Sequence, residues 1–180
     1  AIPATAAYRP PRRTPRPKGW GKESAVVTGP AGEEIHVDDM GQIKVHFYWD
    51  REGAIDDTAS CWMRVQQLNT ASGMALPRVG WEVAVGFLYG GPDRPVVLQK
   101  LYNQEHLPPY GLPDNLMQSS LQTSSSPGGG GTNEIRMNDA AGGQEFFVHA
   151  QKDLAVTVGN GALSGTIFGA TFTVVSLLVF

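Results

Sequence analysis

This 180-residue chain is poor in the groups that most chemistry uses. It has one cysteine, Cys61, so no intrachain disulfide can form and no cysteine-based zinc site fits. It has four histidines and no excess of basic charge: 14 Lys and Arg against 17 Asp and Glu give a net charge of −3. That balance carries no global attraction to nucleic acid. The N-terminus lacks the apolar stretch of a secretory signal peptide, so export by the general secretory route is not expected. The glycine run Gly128–Gly131 is not followed by the Lys-Ser/Thr pair of a phosphate-binding loop. Serines crowd positions 119–126, where a mobile linker would not hold a base beside a nucleophile.

Turn formers and apolar residues are plentiful. Glycine (22) and proline (13) are both frequent, and 41% of the residues are hydrophobic. That composition suits short strands and tight turns better than long helices. The most informative stretch is Gly29–Gly53. Ile43, Val45, Phe47 and Trp49 alternate with Lys44, His46 and Tyr48, the period of a strand with one apolar face. Glu33–Val37 is read as its hairpin partner across Asp38–Met40, with Gly41 in the left-handed conformation. The expected register sets Ile35 opposite Ile43 and Glu34 opposite Lys44.

Five zones follow. Residues 1–22 form a basic, proline-rich arm, read as an extended interdomain linker. Residues 23–103 are expected to form a compact antiparallel β-domain. Its strands are placed at Ser24–Thr28, Glu33–Val37, Gln42–Trp49, Cys61–Gln66, Trp81–Leu88 and Pro95–Tyr102, with a turn at Gly91–Pro95. Closing such short strands into a small barrel removes exposed edges, which makes an OB-type barrel the natural candidate. Residues 104–132 carry little apolar periodicity and read as linker.

Residues 133–160 contain Glu145–Ala150 and Leu154–Val158, short strands with a spacing of eight between Phe146 and Leu154, Val148 and Val156, and Ala150 and Val158. The repeat predicts the first rungs of a β-solenoid. One thin rung buries too few side chains to offset the entropy of ordering its backbone. Chains winding around a shared core are therefore expected, with Phe146, Val148, Leu154, Val156 and Val158 at the interface between copies. Residues 161–180 form an apolar tail within a stretch that has no charge after Asp153. Continued buried β-structure is the preferred reading, because a membrane span would want basic flanks.

Candidate sites are weighed against plainer roles. Asp50, Glu52, Asp56 and Asp57 share a loop without an EF-hand pattern, so a solvated turn is expected. His36 and His46 are read as surface or rim residues, His149 as a core or interface histidine, and Cys61 as a buried thiol. No pair of carboxylates is placed by rigid elements for glycoside hydrolysis. No enzymatic activity, metal or cofactor is expected.

The central residues resemble the phage baseplate protein V family, and within it the VgrG-type spikes of type VI secretion. The likeness runs through Tyr8–Pro17, Ala25–Ile35, Lys44–Arg51, Cys61–Val65, Leu76–Val83, Gly91–Pro95, Leu101–Asn103, Pro108–Tyr110, Ser125–Gly131, Asn133–Arg136 and His149–Leu154. It implies an OB-type barrel leading into an intertwined trimeric β-helix needle, in a structural spike at the tip of a contractile injection apparatus. It also implies a homotrimer, a tube ring of the Hcp type, a tip protein of the PAAR type, sometimes an effector, and transient contact with a target membrane. Such a spike is made in the bacterial cytoplasm and leaves through the apparatus. The resemblance further implies a hub-like domain before Tyr8 and a longer valine-glycine needle, against which this chain reads as a fragment. The alternative reading from the residues is a nucleic-acid-binding OB module with a basic arm, with Trp62 and Tyr48 as stacking residues.

Overall fold

The structure, a computed structural model, describes residues 3, 5, 7, 9–128 and 130–155. These contain eight strands in two sheets and no α-helix: β1 (Lys22–Thr28), β2 (Lys44–Phe47), β3 (Arg64–Val65), β4 (Glu82–Phe87), β5 (Pro95–Leu101), β6 (Gln118–Ser124), β7 (Thr132–Asn138) and β8 (Glu145–His149). The expected all-β class is what is found, as a curled five-stranded sheet of the half-barrel kind and a second, three-stranded antiparallel sheet. Of the predicted interface residues, Val156 and Val158 lie outside the described residues, as does the 161–180 tail.

The first sheet has the order β2-β1-β4-β5-β3. β1 is an inner strand and pairs antiparallel with both neighbours, setting Ala25 opposite Phe47 and Val83, and Val27 opposite Val45. Alternation then sends Ala25, Val27, Ile43, Val45, Phe47, Val83, Val85 and Val97 inward, where Met63 joins them in one core. A bulge in the β4–β5 pairing, at Ala84/Val85, adds the local twist that curls the sheet. The curl brings the two outer strands together. Ile43, just before β2, and Met63, just before β3, form an antiparallel bridge.

Several local expectations give way to this long-range pairing. Glu33–Val37 is not a strand. The turn itself forms, with Gly41 at φ 69° and its N–H donating to the Asp38 carbonyl at 3.1 Å. Yet Lys44 pairs with Thr28 rather than Glu34, and Ile43 with Met63 rather than Ile35. Matching two fully buried valines, Val27 and Val45, outweighs a local hairpin whose partner offers one exposed isoleucine. The strand expected over Gln42–Trp49 ends at Phe47, where the Asp50 N–H donates back to the Phe47 carbonyl at 3.0 Å. Trp49 is thereby turned out of the core and stacks on Phe47, centroids 5.0 Å apart. The strand expected over Cys61–Gln66 shrinks to Arg64–Val65, because inward alternation starts only at Met63; Cys61 is exposed, not buried. His46 is buried rather than at the rim, since Val26 lies opposite it on β1.

Beyond the barrel, the stretch expected to be linker over 104–132 contains β6. Its Ser- and Gln-rich sequence pairs residue for residue with β7, from Gln118↔Asn138 to Ser124↔Thr132. β7 in turn pairs with β8, completing an antiparallel sheet in the order β6-β7-β8.

Candidate functional site

The β6-β7-β8 sheet has two unlike faces. Register sets Leu121, Ile135 and Val148 in one cross-strand row, and Ser119, Met137 and Phe146 in the next. Because side chains alternate, all of these share one face. The five apolar side chains among them are exposed, from 43% at Ile135 and Met137 to 69% at Phe146. Leu154, past the end of β8, is also exposed.

The opposite face carries Glu134, which is buried, Arg136, Phe147 and His149, which are partly buried, and Glu145, which is exposed. Tyr110, from the segment before β6, donates its hydroxyl hydrogen to Glu134, which is buried. Arg136 donates to the Tyr110 oxygen at 3.0 Å and to Glu145 at 2.8 Å, and its guanidinium lies 4.4 Å over the Phe147 ring. These hydrogen bonds, to Glu145 first and Tyr110 second, hold the guanidinium proton more firmly than usual. His149 stacks in parallel on Phe147, centroids 6.2 Å apart. A sheet that buries a glutamate on one face and leaves the apolar side chains of the other bare inverts the pattern of a sheet finished as one chain.

The sheet meets the barrel at Glu34. The backbone carbonyl of Glu34 accepts the Val79 N–H at 3.0 Å. Its carboxylate accepts the Ser126 hydroxyl at 2.6 Å, the Gly128 N–H, and Arg78 at 3.2 Å. Arg78 also donates to the Ser124 carbonyl. The Ser126 and Gly128 donors, more than the Arg78 charge, hold the Glu34 carboxyl below the usual range.

The remaining candidates have structural partners. Asp50 accepts the N–H groups of Glu52 and Gly53, at 3.2 and 2.9 Å. Asp56 accepts the Thr58 N–H and hydroxyl, at 2.8 and 2.6 Å. Each is a turn cap, and those donors lower its pKa. Trp62, a stacking candidate, has the Lys44 ammonium 4.8 Å over its ring and the His36 ring 5.0 Å away. His36 also faces Glu33 at 3.1 Å. Tyr48, the other candidate, is exposed; partial burial first, and Glu82 second, raise its pKa. Beside β3 and β5 lies a cavity of about 340 Å³, lined in part by Leu68, Leu76, Pro77 and Trp81.

Of the predicted interface residues, Phe146 and Val148 lie on the bare face. Sequence reading missed Leu121, Ile135 and Met137. Each is a single apolar residue in a polar run, and the available signal was their alternation with Ser120, Gln122, Glu134 and Arg136.

Two family models match the chain. Residues 27–102 match the type VI secretion system/phage-baseplate injector OB domain, and residues 119–165 match the bacteriophage T4 gp5 C-terminal trimerisation domain. The type VI secretion system spike protein VgrG5 of Pseudomonas aeruginosa is 52% identical over 156 residues, 85% of this chain and 20% of the relative. VgrG1a of the same organism is 43% identical over 166 residues, covering 89% of this chain and 26% of that protein. VgrG3 of Vibrio cholerae is 43% identical over 155 residues, 84% of this chain and 15% of the relative. The chain thus spans about a fifth of the length of the curated relatives it matches.

Proposed function

We propose that this chain, a member of the VgrG-type spike family over most of its length, is the connector and needle base of a membrane-puncturing spike in a contractile injection apparatus. The barrel is the connector. The β6-β7-β8 sheet is the first layer of a needle built by three copies. The observation that carries this reading is the bare apolar face of Leu121, Ile135, Met137, Phe146 and Val148, within the segment that matches a trimerisation domain. Three such faces turned toward one axis bury each other's apolar area and make a core that one sheet lacks.

The mechanism is mechanical rather than chemical. A needle of antiparallel strands leaves few backbone groups unpaired, so it transmits axial load through ladders of hydrogen bonds without unfolding at an edge. The barrel's closed core supplies a rigid base for that load. A tube ring below and a tip protein above are the partners this role requires. The chain is made in the bacterial cytoplasm and leaves through the apparatus it belongs to.

Sedimentation and multi-angle light scattering test the reading. A mass of three chains at micromolar concentration is expected, and a monomer at every accessible concentration overturns it. The nucleic-acid alternative finds no support in the comparisons, and Trp62 already has Lys44 and His36 against its ring.

A further inference from the structure

We propose that Glu34 is the positioning residue that sets the needle base on the barrel, by gripping the β6–β7 connection. The proposal rests on the reading of the sheet as a needle base and names the residue that orients it.

Glu34 belongs to the barrel by its backbone, through the bond from Val79, and to the sheet by its carboxylate. It reaches Ser126 and Gly128, 92 and 94 residues along the chain. Arg78, the residue before Val79, adds the grip on Ser124. Two barrel side chains therefore hold three successive alternate residues of one connection.

Of its own the connection has only Pro127 and one internal backbone bond, from the Ser125 N–H to the Gly131 carbonyl at 2.7 Å, to restrict its conformation. Residues 124–131 read Ser-Ser-Ser-Pro-Gly-Gly-Gly-Gly, with no ionisable group and no large apolar side chain. Glycine runs sample most of backbone space, so they follow whatever external partners they meet. Gly128 is held at φ 50°, where a side chain is strained and where its N–H points at the carboxylate. An ionised acceptor makes stronger hydrogen bonds than a neutral one, so the grip depends on the Glu34 charge. The charged group facing that carboxylate is Arg78; Glu33 and His36, on the same loop, face each other at 3.1 Å.

The test compares the full chain with Glu34→Ala and Glu34→Gln by hydrogen exchange, with oligomeric mass measured separately. In Glu34→Ala, exchange at residues 124–131 rises on the order of tenfold or more, while β1 and β4 keep their protection. In the parent chain, intrinsic-rate-corrected exchange at 124–131 rises toward the Glu34→Ala level as pH falls through the carboxylate range. The Ala variant stays flat there, and Glu34→Gln is intermediate and flat. A spin-label pair at Asp93 and Gln144, in a Cys61→Ser background diluted with unlabelled chain, gives a narrow distance distribution that broadens in Glu34→Ala. Unchanged exchange at 124–131, or loss of protection throughout the barrel, overturns the proposal. Should Glu34→Ala not fold, the pH profiles of the parent and Glu34→Gln decide. A monomer whose 124–131 exchange still follows Glu34 defeats the three-copy needle and leaves the grip standing. A trimer with indifferent exchange does the reverse.

Discussion

Ile43 and Met63 exchange both of their backbone hydrogen bonds, at 3.0 and 2.8 Å, and in doing so join the two outer strands of the five-stranded sheet. Both side chains are buried in the core they close. One pair of residues thus seals the barrel and fills part of it.

Ile43→Ala removes buried methyl groups at the seam itself. A loss of about 2–5 kcal/mol is expected, from lost burial plus the cavity left behind. Chemical denaturation checks it, and Ile35→Ala, at an exposed position of the Glu33–Val37 loop, is the comparison that should lie within about 0.5 kcal/mol of the parent.

Ile135→Asp places a charge in the middle strand of the bare face, between Leu121 and Val148. Light scattering should show the mass falling threefold at unchanged concentration, because an unpaired charge is not tolerated in an apolar core between copies. The barrel should keep its own unfolding transition, since none of its core residues comes from β7.

Tyr110→Phe leaves buried Glu134 without its hydroxyl donor and Arg136 without one of its acceptors. A destabilisation of about 1–3 kcal/mol is expected for the β6-β7-β8 unit, read as earlier loss of its exchange protection. Glu145→Gln should cost less, because Glu145 is about half exposed and its pairing with Arg136 is screened by water.

Asp56 has a pKa held below its ordinary 3.8 by the Thr58 hydroxyl and N–H. A depressed acid adds stability that is complete above the unfolded value and disappears as pH falls through the folded one. Acid titrations of Asp56→Ala should therefore converge on the parent below that range and separate from it above. Parallel curves at every pH would mean that the cap does not titrate with folding.

Cys61 is exposed, and it is the sole thiol. A thiol-reactive dye should label the native chain to completion without denaturant, at a rate close to that in denaturant. Labelling only on unfolding would put the thiol back in the core.

What the sequence shows and what it hides divide along the range of the interactions. Ile43, Val45 and Phe47 alternate so cleanly that their inward face is legible, and Gly41 marks its turn. Their partner is not legible. Glu33–Val37 lies nearby with adequate alternation, yet β1 wins because Val27 and Ala25 present a wholly buried match, a property of the closed sheet rather than of either strand. Trp49 illustrates the same limit: one backbone bond from Asp50 to Phe47 ends the strand two residues early. In the second sheet, Phe146 and Val148 stand out, whereas Leu121 and Ile135 are lone apolar residues whose meaning appears only once β6, β7 and β8 are in register. Glu34 gave no local hint, since its partners lie 92 and 94 positions away.

The bare face of β6-β7-β8 also divides the chain's folding into two kinds of event. The barrel closes its core with its own residues, so it forms at a rate indifferent to dilution. On the proposed three-copy reading the second sheet gains its core only when other copies arrive, so its completion depends on how many chains share the compartment. On that reading a half-finished assembly is a barrel with an open sheet, and the chain's own abundance decides when the sheet is completed.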